Sequence, residues 1–160
     1  MTIRVGIGYD LHRLEGGGDH LMLGGVRVPF DGGAVAHSDG DVVIHALIDA
    51  MLGAAGLGNI GQRFPDSDPN LRGVDSMALL ERTIRLLHSS GFTVVNADMV
   101  VVLERPRLAP HLDAMRQRIA ECLKIERHRV SVKPKTNEGV GPEGRGEAVS
   151  AQAVVLVQQQ

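Results

Sequence analysis

One cysteine, no tryptophan and an aromatic share of 2% are what this 160-residue sequence has least of. A lone Cys122 excludes an intrachain disulfide and a cysteine-rich zinc module, and its apolar, periodic surroundings predict a buried thiol. Scarce aromatics leave little for bases to stack on, and a formal net charge of -2 argues against a surface for a phosphate backbone, so no nucleic-acid partner is expected. No apolar run approaches the ~20 residues that cross a bilayer, so no membrane partner is expected either. Nothing like a signal or transit segment stands before the first strand-like stretch, which predicts a cytoplasmic location. The remaining composition, 43% hydrophobic and 22% charged, suits one globular domain over 1–160 without linker or internal repeat. A chain of this length buries roughly two-thirds of its unfolded surface.

Ile3, Val5, Ile7 and Tyr9 alternate with Arg4, Gly6 and Gly8, which predicts a strand with the apolar side chains on its one buried face. Short strand-like runs flank Gly24-Gly25 between Leu21 and Pro29, and Asp31-Gly32-Gly33 is a turn. Ser38, followed three positions later by Asp41, reads as a capping-box-like start to a helix whose Ile44, Ile48, Met51 and Ala55 face the core. Phe64 to Pro69 is a loop, and Asp75 or Ser76 caps a second helix that Gly91 ends. A valine-rich strand from Phe92 to Leu103 precedes a stiff loop with Pro106 and Pro110. A third helix from about His111 to Leu123, a strand from Val130 to Lys135, a glycine-studded loop from Thr136 to Gly146 and a strand from Glu147 to Val157 complete the chain. This order predicts an α+β domain, a mixed four-stranded sheet with helices on one face. The last strand is apolar on much of both sides, so the uncovered face predicts a homo-oligomer packed sheet to sheet.

The chemistry concentrates at three positions. If the chain stays extended beyond Tyr9, Asp10 and His12 point the same way and can converge on one ion. On the first helix Asp41, His45 and Asp49 sit four apart and form one polar stripe, in which Asp49 can orient the imidazole of His45. A helical His is often no more than a solvated or internally satisfied side chain. With Asp10 and His12, however, His45 completes a nitrogen and oxygen set suited to zinc, and three protein ligands leave a coordination position open to water or a phosphoryl oxygen. Gly6-Ile7-Gly8 also opens like a dinucleotide loop, but Leu11 stands where the third glycine belongs. A phosphoryl-transfer enzyme, a zinc phosphohydrolase and a non-catalytic metal-binding oligomer all fit the residues at this level.

Five blocks narrow the choice. They are Gly8-Tyr9-Asp10-Leu11-His12-Arg13, His37-Ser38-Asp39-Gly40-Asp41, the stretch from His45 to Ala54, Ile60-Gly61 with Phe64-Pro65-Asp66-Ser67-Asp68-Pro69, and Lys135-Thr136-Asn137-Glu138 with Gly144-Arg145-Gly146-Glu147. In order and spacing they resemble the 2-C-methyl-D-erythritol 2,4-cyclodiphosphate synthases, a family of the non-mevalonate route to isoprenoid precursors. The resemblance implies a homotrimer packed through its sheets, with active sites between adjacent subunits. It implies cyclisation of 4-diphosphocytidyl-2-C-methyl-D-erythritol 2-phosphate with release of CMP. It implies zinc on Asp10, His12 and His45, and a second divalent ion, Mg²⁺ or Mn²⁺, touching Glu138.

His37 and Thr136 match the residues credited with stabilising the transition state, His37 and Ser38 gripping the 2-phosphate and Thr136 the diphosphate. Asn59, Ile60 and Gly61 match the segment that holds the erythritol hydroxyls, walled by Phe64, Pro65, Asp66, Ser67 and Asp68. The run Leu103-Glu104-Arg105-Pro106-Arg107-Leu108-Ala109 matches a cytidine pocket, with Lys135, Asn137, Pro142 and Arg145 among the further substrate contacts. Arg145 and Glu147 match residues of the trimer's central channel, where some members hold an isoprenoid diphosphate. This chain departs from the pattern at Asn59, where Asp is common, at Arg107, where Lys is frequent, at Pro142, which replaces an aromatic residue, and at Lys135-Thr136-Asn137, which replaces a run of threonines.

Overall fold

A computed structural model describes residues 2–160. Strand β1 (Ile3–Glu15) leads into a hairpin of β2 (His20–Leu23) and β3 (Val26–Pro29), then the two-residue β4 (Gly33–Ala34). Helix α1 (Val42–Ala55), the one-turn α2 (Ile60–Arg63) and α3 (Ser76–Ser89) follow, with a 3₁₀ turn at Pro69–Leu71. The second half holds β5 (Phe92–Val102), α4 (Leu112–Leu123), β6 (Val130–Lys135), the short α5 (Gly141–Gly144) and β7 (Ala148–Gln159). The main sheet runs β4-β1-β7-β5-β6, with β5 and β6 parallel and the other pairs antiparallel, while β2 and β3 form a small sheet of their own.

The α+β class and the mixed sheet match the sequence reading, but the sheet has five strands, not four. The extra strand, β4, pairs only Gly33 and Ala34 with Glu15 and Leu14, too short a run to show periodicity. Helices α1, α3 and α4 pack against one face, and one core cluster spans the chain. Cys122 is only half-buried, and burial still pushes its thiol up to about 11.

The buried face of β1 is the reverse of the expectation. Ile3, Val5, Ile7 and Tyr9 are all more than half exposed, whereas Gly6 and Gly8 are buried against α1. A Cβ on Gly6 would lie 1.9 Å from the carbonyl oxygen of Ala50, and one on Gly8 1.9 Å from that of Ala46. Glycine opposite alanine lets strand and helix backbones touch, an approach that any side chain on either glycine would block. Because strand side chains alternate, Asp10 and His12 continue the glycine row and point toward α1. The apolar row, joined by Leu11 and by Val154 on β7 beside Ile7, lies on the sheet face that the helices leave open.

Helix α1 is buried almost all round, which its composition allows because only His45 and Asp49 carry polar side chains within it. Its N-cap is Asp41, not Ser38: the Asp41 carboxylate accepts from the backbone N–H of Ile44 and also from those of Gly24 and Gly25 in the β2–β3 turn. Burial raises the pKa of that carboxyl against the pull of the three N–H donors. The expected polar stripe is therefore not a solvent-facing surface. Asp41 anchors the hairpin, and Asp49, on the next turns, accepts from the backbone N–H of Ile60.

Candidate metal centre and the surrounding cleft

Asp10 and His12 from β1 meet His45 from α1. The Oδ2 of Asp10 lies 2.9 Å from Nδ1 of His45 and 3.1 Å from Nε2 of His12, and the two ring nitrogens are 3.3 Å apart. Ligands bound at about 2.0–2.1 Å to a tetrahedral ion stand roughly 3.3 Å from one another. The triangle therefore has the dimensions of one face of a zinc coordination shell. Among the described residues no fourth His, Cys, Asp or Glu joins this cluster, so the donor set fits an ion with an open position. Burial works to raise the pKa of Asp10, but hydrogen bonds and charge from His12 and His45 outweigh it and hold the carboxyl at about 2. Burial works to lower the pKa of His45, and the hydrogen bond to Asp10 with its charge outweighs it and raises it.

Behind His45, Asp49 does not play the orienting part read from helical spacing, since its carboxylate is turned to Ile60. The far nitrogen of His45, Nε2, meets the hydroxyl of Ser76 at 2.8 Å and that of Ser38 at 3.2 Å. Ser76 is fully buried at the first position of α3, and the capping task there belongs to Asp75, which accepts from the backbone N–H of Met77. Asp39 accepts from both the hydroxyl and the backbone N–H of Ser76. Sequence reasoning considered Ser76 only as a cap and gave Asp39 no task. The contact joins residues 37 positions apart, which no spacing rule reveals.

The triad opens into a cavity of about 480 Å³ whose wall includes His37, Ser38, Ile60, Gly61, Phe64, Pro65 and Asp66. Arg72 also lines it, a cation that the sequence reading did not single out. Asn59 is the N-cap of α2, its Oδ1 accepting from the backbone N–H of Gln62, and Asp68 caps the 3₁₀ turn through Asn70. Ser67 is exposed between them.

The other predicted contacts gather elsewhere. A second cavity, of about 200 Å³, is lined by Leu103, Glu104, Pro106, Arg107, Leu108, Ala109, Lys135 and Thr136, with Arg105 on the neighbouring surface. One oxygen of Glu104 is buried without a hydrogen-bond partner. Thr136 and Glu138 are exposed, with Thr136 Oγ1 accepting from the backbone N–H of Glu138 at 3.4 Å. Asn137 reaches Glu143, and Pro142 lies in the short α5, which replaces part of the expected loop. Arg145 and Glu147 form a two-pronged ion pair at 2.9 and 3.1 Å on the surface.

The sheet register sets the two cavities apart. Asp10 pairs with Ala151, Ala151 with Val101, and Val101 with Pro134, so the triad and the start of the Lys135–Thr136 segment share one row three strands apart. That is about 14 Å at the usual strand spacing.

Comparison with known proteins agrees with this architecture. A family model described as the YgbB family matches residues 3–158. A 2-C-methyl-D-erythritol 2,4-cyclodiphosphate synthase from Xanthomonas axonopodis pv. citri is 54% identical over 156 residues, 98% of this chain and 93% of the relative. Its counterpart from Moorella thermoacetica is 51% identical over 155 residues, 97% of this chain and 94% of the relative. Among solved structures, a CDP-bound 2C-methyl-D-erythritol-2,4-cyclodiphosphate synthase superposes with a TM-score of 0.89 at 42% identity, covering 97% of this chain and 100% of the other. The bifunctional IspDF from Campylobacter jejuni superposes with a TM-score of 0.94 at 37% identity, covering 99% of this chain and 43% of that longer one. This chain thus belongs to the YgbB family, the 2-C-methyl-D-erythritol 2,4-cyclodiphosphate synthases, which are lyases of isoprenoid biosynthesis.

Proposed function

We propose that the chain converts 4-diphosphocytidyl-2-C-methyl-D-erythritol 2-phosphate to 2-C-methyl-D-erythritol 2,4-cyclodiphosphate. An oxygen of the 2-phosphate forms a bond to the β-phosphorus, the bond from that phosphorus to the α-phosphate bridge breaks, and CMP leaves. The single observation that carries this reading is the convergence of Asp10, His12 and His45, three ligand atoms about 3 Å apart, at the mouth of a cleft wide enough for a phosphorylated polyol. Zinc held there, with Mg²⁺ or Mn²⁺ at Glu138, would neutralise and polarise the phosphate oxygens that otherwise repel the incoming phosphate.

The protein's own groups supply alignment. His37 and Ser38, on the same cavity wall as the triad, hold the attacking 2-phosphate, and Ile60, Gly61 and Phe64 to Asp66 enclose the carbon skeleton. Thr136 steadies the diphosphate, and the segment from Leu103 to Ala109 takes the cytidine through backbone groups and apolar contact. Bound CDP in the relatives' structures supports the cytidylyl half of this assignment. Holding nucleophile and electrophile in line is worth far more here than a strong base, since the attacking oxygen is already anionic.

The separation of the two cavities supports a homotrimer in which the triad of one subunit works with the loops of the next. The exposed row of Ile3, Val5, Ile7 and Tyr9 is the natural packing surface for such an assembly. Arg145 and Glu147 would then line its central channel, a place for a prenyl diphosphate. Among the described residues no helix is long and apolar enough to cross a membrane.

The test is phosphorus NMR of the purified protein with zinc, Mg²⁺ and the cytidylyl substrate. Ring closure predicts coupled resonances of a cyclic diphosphate together with CMP. Linear monophosphates would point to attack by water and overturn the proposal, as would unchanged substrate.

A further inference from the structure

The proposed zinc site needs one particular nitrogen of His45 free, and the side chains behind the ring decide which. Nδ1 faces Asp10 and His12, whereas Nε2 faces Ser76 at 2.8 Å. A serine hydroxyl has one proton to give. In this structure Ser76 gives it to the carboxylate of Asp39, which can only accept, and the same carboxylate also takes the backbone N–H of Ser76 at 3.0 Å. The oxygen of Ser76 is left with lone pairs toward His45. Nε2 must therefore carry a proton to make that contact, and Nδ1 is the nitrogen available to an ion.

Burial makes the arrangement binding. Ser76 has no exposed surface and His45 is 9% exposed, so water cannot substitute for a misplaced proton without cost. Ser38 stands beside the same nitrogen at 3.2 Å and accepts from the backbone N–H of Gly40, which leaves its own proton free to turn either way, so the shorter contact to Ser76 decides the tautomer. Asp39 is itself held in place. Its carboxylate accepts from the backbone N–H of Asp41, and its own N–H donates to the carbonyl of Val74 just ahead of α3.

We propose that Asp39 and Ser76 are positioning residues, a relay that fixes His45 with its proton on Nε2 and so presents Nδ1 to the metal. The inference rests on the zinc reading of the triad. Outer carboxylates that orient a ligating imidazole are commonly worth 10- to 100-fold in metal affinity. Here the carboxylate, Asp39 in the loop before α1, acts through the hydroxyl of Ser76 at the start of α3.

The test uses the full-length protein in its native assembly and reads metal binding apart from turnover. Zinc affinity is measured by competition with a chromophoric chelator for the wild type, Asp39→Asn, Ser76→Ala and Ser76→Thr. Asparagine can donate to Ser76 where aspartate only accepts, so Asp39→Asn turns the hydroxyl toward His45 and favours the wrong tautomer. We expect Asp39→Asn and Ser76→Ala to lose roughly 10- to 100-fold in zinc affinity, with Ser76→Thr restoring most of it because the hydroxyl returns.

Long-range ¹H–¹⁵N spectra of histidine-labelled, zinc-loaded wild type read the tautomer directly and do not depend on how any variant folds. A metal-bound Nδ1 with a protonated Nε2 on His45 supports the relay. Ligation through Nε2, or zinc affinity in Asp39→Asn equal to that of the wild type, overturns it while leaving a triad that binds one zinc per chain intact. A wild type that takes up no zinc overturns both the relay and the metal reading.

Discussion

The two cavities that carry the predicted site residues are built on opposite plans. Around Asp10, His12 and His45 the polar atoms are paired and largely shielded: strand β1 presses on α1 through Gly6 and Gly8, α3 brings Ser76 in from behind, and the loop between β4 and α1 contributes Ser38 and Asp39. Around Thr136 and Glu138 the side chains stand in solvent on loops at the β6 edge of the sheet, with one weak internal hydrogen bond between them. The first region is organised before any ligand arrives. The second is left open to solvent by its own chain.

Substitutions should separate the two regions by what they damage. Asp10→Ala is expected to abolish stoichiometric zinc binding and to lower kcat/KM by about a thousandfold or more, because it removes both a ligand and the charge that gathers the two imidazoles. Glu138→Gln is expected to cost roughly a hundredfold in kcat/KM while zinc content and Tm stay within error, as befits an exposed side chain. A Glu138→Gln protein that melts several degrees lower would erase the contrast between a preformed and an open half.

The close approach of β1 and α1 gives the next largest effect. Gly8→Ala would drive a Cβ into the carbonyl oxygen of Ala46 and should destabilise the fold by about 3 kcal/mol, read by denaturant unfolding. Gly53 lies on the same helix with nothing within 4 Å of its Cβ position, so Gly53→Ala should instead stabilise by about 0.5–1 kcal/mol. Equal effects from the two would mean that the glycine row does not set the helix height.

In protein freed of any metal by a chelator, a smaller, pH-dependent term is expected. The folded pKa of Asp10, about 2, lies below its ordinary 3.8, so its stabilisation is present above pH 3.8 and is lost as pH falls toward 2. The pKa of His45 is raised above 6.5, so its contribution is present below pH 6.5 and is lost as pH rises through the folded value. The metal-free wild type should therefore exceed metal-free Asp10→Asn in stability most clearly between pH 3.8 and 6.5, by about 1–2 kcal/mol given the partial exposure of Asp10. A gap that widens above pH 7 would contradict that sign. The smallest effect belongs to Asn59→Asp. It should leave Tm unchanged, since aspartate caps α2 as well as asparagine does, and lower KM by a few-fold if a stronger acceptor meets a substrate hydroxyl.

Local signals in the sequence carried much of this. The extended run through Asp10 and His12, the helix bearing His45, the end of α3 near Gly91 and the succession of β5, α4 and β6 all follow from periodicity and punctuation, whereas the parallel pairing of β5 with β6 came only with the structure. The facing of β1 did not. Alternation shows that two faces differ, but it cannot tell a row of valine and isoleucine that meets the core from one left on the open face of the sheet, and here the glycines mark the inner face. Asp49 illustrates the same limit on a helix, because spacing put it beside His45 while the loop at Ile60 drew it away. Ser76 and Asp39 were illegible for a different reason, being joined only when α3 packs behind α1.

The central claim is that a working site takes its triad from one copy and its diphosphate loop from another. It is tested most directly by co-expressing Asp10→Ala chains with Glu138→Ala chains, each nearly inactive alone, and assaying the purified mixed oligomers for CMP release. Random assortment around a ring predicts that about one site in four receives an intact triad and an intact loop, restoring roughly a quarter of wild-type activity. Mixed oligomers no more active than either parent would mean that both halves come from the same chain, and would contradict the account.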